Sequence, residues 1–161
     1  MYRLSMSKSN IRALFAAMLV VLQLAGVASA DSTTVDDPRG DANRAREDID
    51  YAIADHHKGL LRHSVTMYGA FETYHPRICI LIQTPKAGYR VCGPQVWRVR
   101  DDQPIGSAKV RRPNDHTIAF SFTKAVIGRP NSYHWYVSVG SNAPFCPDPP
   151  CDITRNVVHQ L

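Results

Sequence analysis

No catalytic signature runs through this sequence. It has no G-x-S-x-G turn, no H-E-x-x-H pair and no phosphate-binding G-x-x-x-x-G-K-[ST] loop. The sequence-local forms of serine hydrolase, zinc peptidase and nucleotide hydrolase are therefore excluded, although a catalytic triad is defined by geometry and can be scattered along a chain. Long apolar stripes at helical spacing are missing too, as are repeats and low-complexity tracts. The stretch "DANRAREDI" could make a turn or two of helix but has no apolar face to bury.

A strong charge of one sign is also missing once the leader is set aside. Residues 1–30 read as a secretory signal peptide. Arg3, Lys8 and Arg12 come first with no acid, then the apolar run Ala13–Ala25, then Ala28-Ser29-Ala30, which places cleavage before Asp31. The apolar run is short of the ~20 residues that a bilayer span needs, so no membrane span is expected after cleavage. The whole chain carries +5 from 19 basic and 14 acidic residues, and three of the basic ones sit in the leader, which leaves +2. That balance does not support nucleic-acid binding, which needs a clustered basic surface. Arg98, Arg100, Lys109, Arg111 and Arg112 read instead as outward faces of strands. The expected location is secreted, extracellular.

What is present is period-two alternation. Ile49-Tyr51-Ile53, Ile78-Ile80-Ile82, Trp97-Val99, Ile118-Phe120-Phe122 and Tyr133-Trp135-Val137-Val139 each skip one residue, as do Leu61, Val65 and Met67 with His63. Such runs are strands with one buried and one wet face. Turn residues separate them, at Lys58-Gly59, Pro85-Lys86, Gly93-Pro94, Gln103-Pro104-Ile105-Gly106 and Gly128-Arg129-Pro130-Asn131 among others. About eight short strands predict an all-β domain, an antiparallel β-sandwich of jelly-roll-like form over residues 49–161, with residues 31–48 as an acidic N-terminal segment leading in.

Four cysteines in an exported chain predict two disulfides. Folding "RICILIQTPKAGYRVC" about Pro85-Lys86 opposes Cys79 to Cys92, Ile80 to Val91, Leu81 to Arg90 and Ile82 to Tyr89. Ile80, Ile82, Tyr89 and Val91 then share the core face, and Cys79 and Cys92 meet on the other, within bonding range. That leaves Cys146 with Cys151 across the proline-stiffened loop "CPDPPC".

Several candidate sites follow. The lead-in concentrates acids, and short Asp side chains with loop carbonyls supply the oxygens that Ca²⁺ takes six to eight at a time. Pro38 and Gly40 bend the chain so that Asp37 and Asp41 converge, with Asp48 joining from the head of the first strand. The competing reading is a solvated lead-in neutralised by Arg39, Arg44 and Arg46. Arg39-Gly40-Asp41 matches an adhesion tripeptide, but a three-residue match is weak. His56-His57 beside Asp55 read as solvated turn histidines, because neighbours on an extended strand point to opposite faces. Among the aromatics, Tyr133 and Trp135 share the core parity. His134 and Tyr136 share the wet face, where a ligand such as a sugar ring could stack.

The segment "DDPRGDANRAREDIDYAIADH" resembles the opening of a group of small exported actinobacterial β-sandwich proteins, with an Asp-Pro-x-Gly-Asp stretch and then Asp-Ile at the first strand. Those residues are Asp37, Pro38, Gly40, Asp41, Asp48 and Ile49 here. A later Ile-Gly-x-Pro and Tyr-x-Trp are matched by Ile127, Gly128, Pro130, Tyr133 and Trp135. The group is similar in style to family 9 carbohydrate-binding modules. The resemblance implies a calcium-braced sandwich that acts as a binding module. The tail "CDITRNVVHQL" departs from the acidic segment of the group, so no tail ligand is carried over.

The sequence thus points to an exported non-catalytic binding module for a carbohydrate or cell-envelope ligand, with a structural calcium site. Its partners would be a glycan or an extracellular protein. The alternative is a secreted protease inhibitor presenting the rigid Cys146–Cys151 loop, since little entropy is lost when such a loop docks.

Overall fold

A computed structural model describes residues 32–42, 47–71, 77–140 and 151–161. Among these residues, twelve strands form two antiparallel sheets. They are β1 (Ser32–Asp36), β2 (Ile49–His57), β3 (Leu60–Met67), β4 (Arg77–Gln83), β5 (Gly88–Cys92), β6 (Gln95–Arg98), β7 (Gln103–Ser107), β8 (Lys109–Arg111), β9 (Thr117–Thr123), β10 (Ser132–Gly140), β11 (Cys151–Ile153) and β12 (Val157–Gln160). The first sheet runs β1-β2-β3-β9-β8. The second runs β11-β10-β4-β5-β6-β7, and β12 also pairs with β10.

Alternation puts one face of each sheet into a shared core. Val35, Ala52, Ala54, Leu61, Val65, Phe120 and Phe122 face inward from the first sheet, and Ile80, Ile82, Val91, Val96, Tyr133, Trp135, Val137 and Val139 from the second. The β2–β3 hairpin turns at Lys58 and Gly59, both at positive φ (49° and 78°). Two-residue hairpins favour that left-handed pair because it matches the strand twist.

The β4–β5 hairpin has the register that the sequence predicts, with Cys79↔Cys92, Ile80↔Val91, Leu81↔Arg90 and Ile82↔Tyr89. The Cys79–Cys92 disulfide is formed, with the Cα atoms 4.5 Å apart. It lies on the outer face in a small second cluster, where Cys79 and Leu81 are buried and Cys92 and Tyr136 pack against them. Cys146, and with it the expected second disulfide, lies outside the described residues, as do residues 1–30, Arg44 and Arg46.

Five expectations need correction. On β2 the core face carries Ala52 and Ala54 in place of Tyr51 and Ile53, because the pairing with β3 shifts register between Ile49 and Tyr51. Twelve strands stand where about eight were expected. Four successive strands, β4 to β7, stay in one sheet as a meander, so the sandwich is not wound like a jelly roll, whose strands pass back and forth in Greek keys. Gln103–Ser107, read as a turn, is the edge strand β7, a position that tolerates Pro104 because nothing needs its missing N–H. Trp97, assigned to the core face with Val99, lies on the outer face. β6 pairs with β5 in unbroken register, Val96 opposite core Val91 and Trp97 opposite outward Arg90, so Val96 takes the core position.

The acidic lead-in also holds more than a loop. Ser32–Asp36 pairs along β2 as β1, from Ser32↔Asp55 to Asp36↔Tyr51.

Candidate cation site

The chain leaves β1 at Asp36 and returns to the sheet at Ile49. Asp37 stays tied to β2, its N–H donating to the Asp50 carbonyl at 3.0 Å. Gly40, at φ 90°, turns the loop so that its N–H donates to Asp48 Oδ2 at 2.9 Å. Any other residue would be strained at that φ. Arg39 stacks over the Tyr68 ring, 5.2 Å from its centroid. The Arg39-Gly40-Asp41 tripeptide is exposed, and Arg39 and Gly40 are each held by a contact to the rest of the fold.

Three carboxylates converge in this loop. Asp37, Asp41 and Asp152 each offer an oxygen, and these oxygens all lie within 4.8 Å of one another. Ca²⁺ holds its ligands at about 2.3–2.6 Å, so ligands on opposite sides of the ion stand about 5 Å apart. The spacing fits one ion, and the cluster could hold it. Asp37 and Asp152 are buried, whereas Asp41 is exposed and leaves one side open to water.

The donor set differs from the one expected. Asp37 and Asp41 are brought together, but Asp152 of β11 completes the trio. Asp48 stands beside them and spends one oxygen on the Gly40 N–H, leaving its buried Oδ1 with no hydrogen bond. Its part is to hold the loop closed and to add negative charge. Asp152 was passed over because the tail shows neither clear alternation nor an acidic run. It is fixed by the Ile49 N–H, which donates to its Oδ2 at 2.6 Å across 103 residues.

The electrostatics show what the carboxylates lack. Burial, and then the neighbouring Asp152, push the Asp37 carboxyl up to about 7, with Asp41 and Asp48 adding to the rise. Burial also raises Asp152, although the Ile49 N–H works in the opposite direction. Asp37 Oδ2 is buried and makes no hydrogen bond. Without a cation, a proton must do part of the neutralising.

The residues assigned to ligand contact lie elsewhere. His134 is exposed on the outer face of β10, and Tyr136 is half-buried two residues on. Tyr136 begins a row that crosses the second sheet through Leu81 and Arg90 to Trp97. The Arg90 guanidinium sits 5.2 Å from the Trp97 ring centroid and pairs with Asp102. His57 is exposed at the end of β2 and His56 is half-buried beside it. Among the described residues they join no metal-binding group.

The core holds a separate polar cluster. His63 is fully buried, its Nε2 3.0 Å from the Tyr133 hydroxyl, its ring stacked with Phe122 and edge-on to Trp135. Burial, with His159 nearby, lowers it to about 3, so it is neutral. It is packing, with no route to a substrate.

Four of the clefts on the described surface have no Asp, Glu or His in their linings. One of about 310 Å³ lies at one end of the sandwich, between Thr84-Pro85-Lys86 and Gly128-Arg129-Pro130. Compared with known proteins, the chain matches no family model, no curated protein and no solved structure, so what is established is an all-β domain of two antiparallel sheets with one described disulfide.

Proposed function

We propose that this chain is an exported, non-catalytic binding domain for a carbohydrate or cell-envelope ligand, locked by a structural calcium ion at Asp37, Asp41 and Asp152. The observation that carries the reading is the convergence of three carboxylates from distant parts of the chain. Two of them follow β1 of the first sheet, and the third belongs to β11 of the second. An ion there would fasten the N-terminal loop to the C-terminal tail, and so one sheet to the other. Calcium suits the site better than magnesium, because the open side favours a flexible, high coordination number, whereas magnesium demands a tight octahedron.

The non-catalytic part is carried over from the sequence, in which no catalytic signature runs. The glycan part is supported by the outer row of Tyr136, Arg90 and Trp97, where two half-exposed aromatics share one sheet face with His134. Kinship with the exported actinobacterial sandwiches belongs to the same proposal. Its support is that the Asp37-to-Asp41 motif closes into a cation-sized cage and that disulfide formation fits an oxidising compartment.

Calorimetric titration of residues 31–161 with Ca²⁺ tests the lock. One ion should bind, magnesium should bind more weakly, and Asp152→Asn and Asp41→Ala should each abolish most of the heat. Titration without heat, and melting curves that coincide in calcium and chelator, would overturn it.

A further inference from the structure

The outer face of the first sheet carries a site of a different kind. Strand β9 lies between β3 and β8. Its outward residues Ala119 and Ser121 are small, and the strands beside them place long cations over both edges. Ser121 is in register with Arg62 on one side and Lys109 on the other, while Ala119 is flanked by Ser64 and Arg111. Neighbouring strands lie about 4.8 Å apart, so Arg62 and Lys109 stand about 10 Å apart across a low floor. Arg112 extends the basic rim, anchored 5.3 Å from the Phe71 ring centroid. The trough between them measures about 750 Å³.

Its charge is not balanced locally. The described lining has four cations and no acid. The two described ion pairs, Arg90–Asp102 and Arg98–Asp101, use none of them. Asp55 lies opposite Arg62 in the register of β2 and β3, yet no ion pair joins them. Four exposed cations around one trough are a marked concentration in a chain whose charge beyond the leader is only +2. Lysine and arginine on a short edge strand such as β8 also deter strand-to-strand aggregation. That role does not require Arg62, two strands further in, or a concave floor.

We propose that this trough binds a strand of acidic polysaccharide, a polyuronate whose carboxylates pair with Arg62, Lys109 and Arg111. Arginine forks match carboxylates two hydrogen bonds at a time. The floor hydroxyl of Ser121 lies where a sugar hydroxyl would rest. A nucleic acid fits less well. The lining has no aromatic side chain on which a base could stack, and single strands bind on such platforms. The inference goes beyond the cation lock and uses none of its residues.

Affinity electrophoresis of the mature chain in millimolar calcium tests it, with oligoglucuronate as probe and dextran and a short DNA duplex as comparisons. Oligoglucuronate should retard the wild type, more weakly as salt rises, and dextran should not. Arg111→Glu and Lys109→Glu should each weaken binding by about tenfold or more. Ser121→Trp, which fills the trough and leaves the charge alone, should weaken it as well, and all three variants should melt close to the wild type. Unchanged retardation in the charge variants would overturn the site. Full binding by Ser121→Trp would reduce it to diffuse attraction and overturn it equally. Tighter binding of the duplex than of oligoglucuronate would reassign the ligand and overturn the proposal.

Discussion

Thr33 Oγ1 and His159 Nδ1 lie 2.9 Å apart although 126 residues separate them. The bond joins β1, an edge of the first sheet, to β12 of the second. His159 is fully buried and packs against Tyr133 with ring centroids 5.3 Å apart. One flank of the sandwich is thereby closed by side chains, where no ladder of backbone bonds crosses. Thr33→Val keeps the shape and removes the hydroxyl. It should cost about 1–2 kcal/mol, read as a lower midpoint with an unchanged slope in urea unfolding.

The Asp37 carboxyl makes the cation-free protein sensitive to pH. Its folded value, about 7, stands above its ordinary 3.8, so the native state holds a proton that the unfolded chain has lost in between. Stability of the cation-free protein should therefore fall as pH rises from about 4 to about 7 and level off above. Calcium bound as proposed would displace that proton, so the melting-temperature gain from calcium should be small at pH 5 and full above pH 7. Asp37→Asn should stabilise the cation-free protein at pH 8 by about 1–3 kcal/mol and remove the calcium response. A calcium gain of equal size at pH 5 and pH 8 would contradict this.

His63 titrates in the opposite sense. Its folded value of about 3 lies below the ordinary 6.5, so the unfolded chain takes up a proton first as pH falls. The stability it supports is complete above about 6.5 and drains away towards pH 3, by on the order of a few kcal/mol. The double variant His63→Phe/Tyr133→Phe removes the imidazole without orphaning the hydroxyl bonded to it. Its acid unfolding midpoint should lie below that of the wild type.

The Cys79–Cys92 bond closes a short loop, with a sequence separation of 13. Loop entropy alone gives about 3 kcal/mol for such a ring. Cys79→Ala/Cys92→Ala also thins the small outer cluster under Leu81 and Tyr136. Unfolding in urea should show a loss of about 2–4 kcal/mol, while calcium binding, far along the chain, should persist.

The β4–β5 hairpin was legible because alternation, a proline turn and two cysteines all agreed on one register. The core parity of Tyr133 and Trp135 was legible for the same reason, since β10 is long and regular. Trp97 was misplaced because β6 has only four residues, and the adjacent apolar Val96 and Trp97 leave either parity open. β1 is a polar edge strand, "STTVD", and β11 and β12 are short, so none has the length on which alternation shows. The loop half of the cation cluster was visible as clustered acids. Asp152 was not, because its place depends on contact with Ile49 across 103 residues, and no single-sequence pattern encodes such a contact. The basic trough was read only as wet strand faces, because β3 and β8 meet over β9 solely in the folded sheet.

The strands β11 and β12 bear on how the molecule comes into being. They pair with β10, supply Asp152 and bury His159, and the partners they close on, Thr33 and Ile49, lie 126 and 103 residues earlier in the chain. Until they dock, one flank of β10 is an open edge and the acidic loop has no third carboxylate to close on. Closure must wait for contacts between opposite ends of the chain, which is the kind of topology that folds slowly. The N-terminal loop and the C-terminal strands thus secure each other, and neither is finished before the other docks.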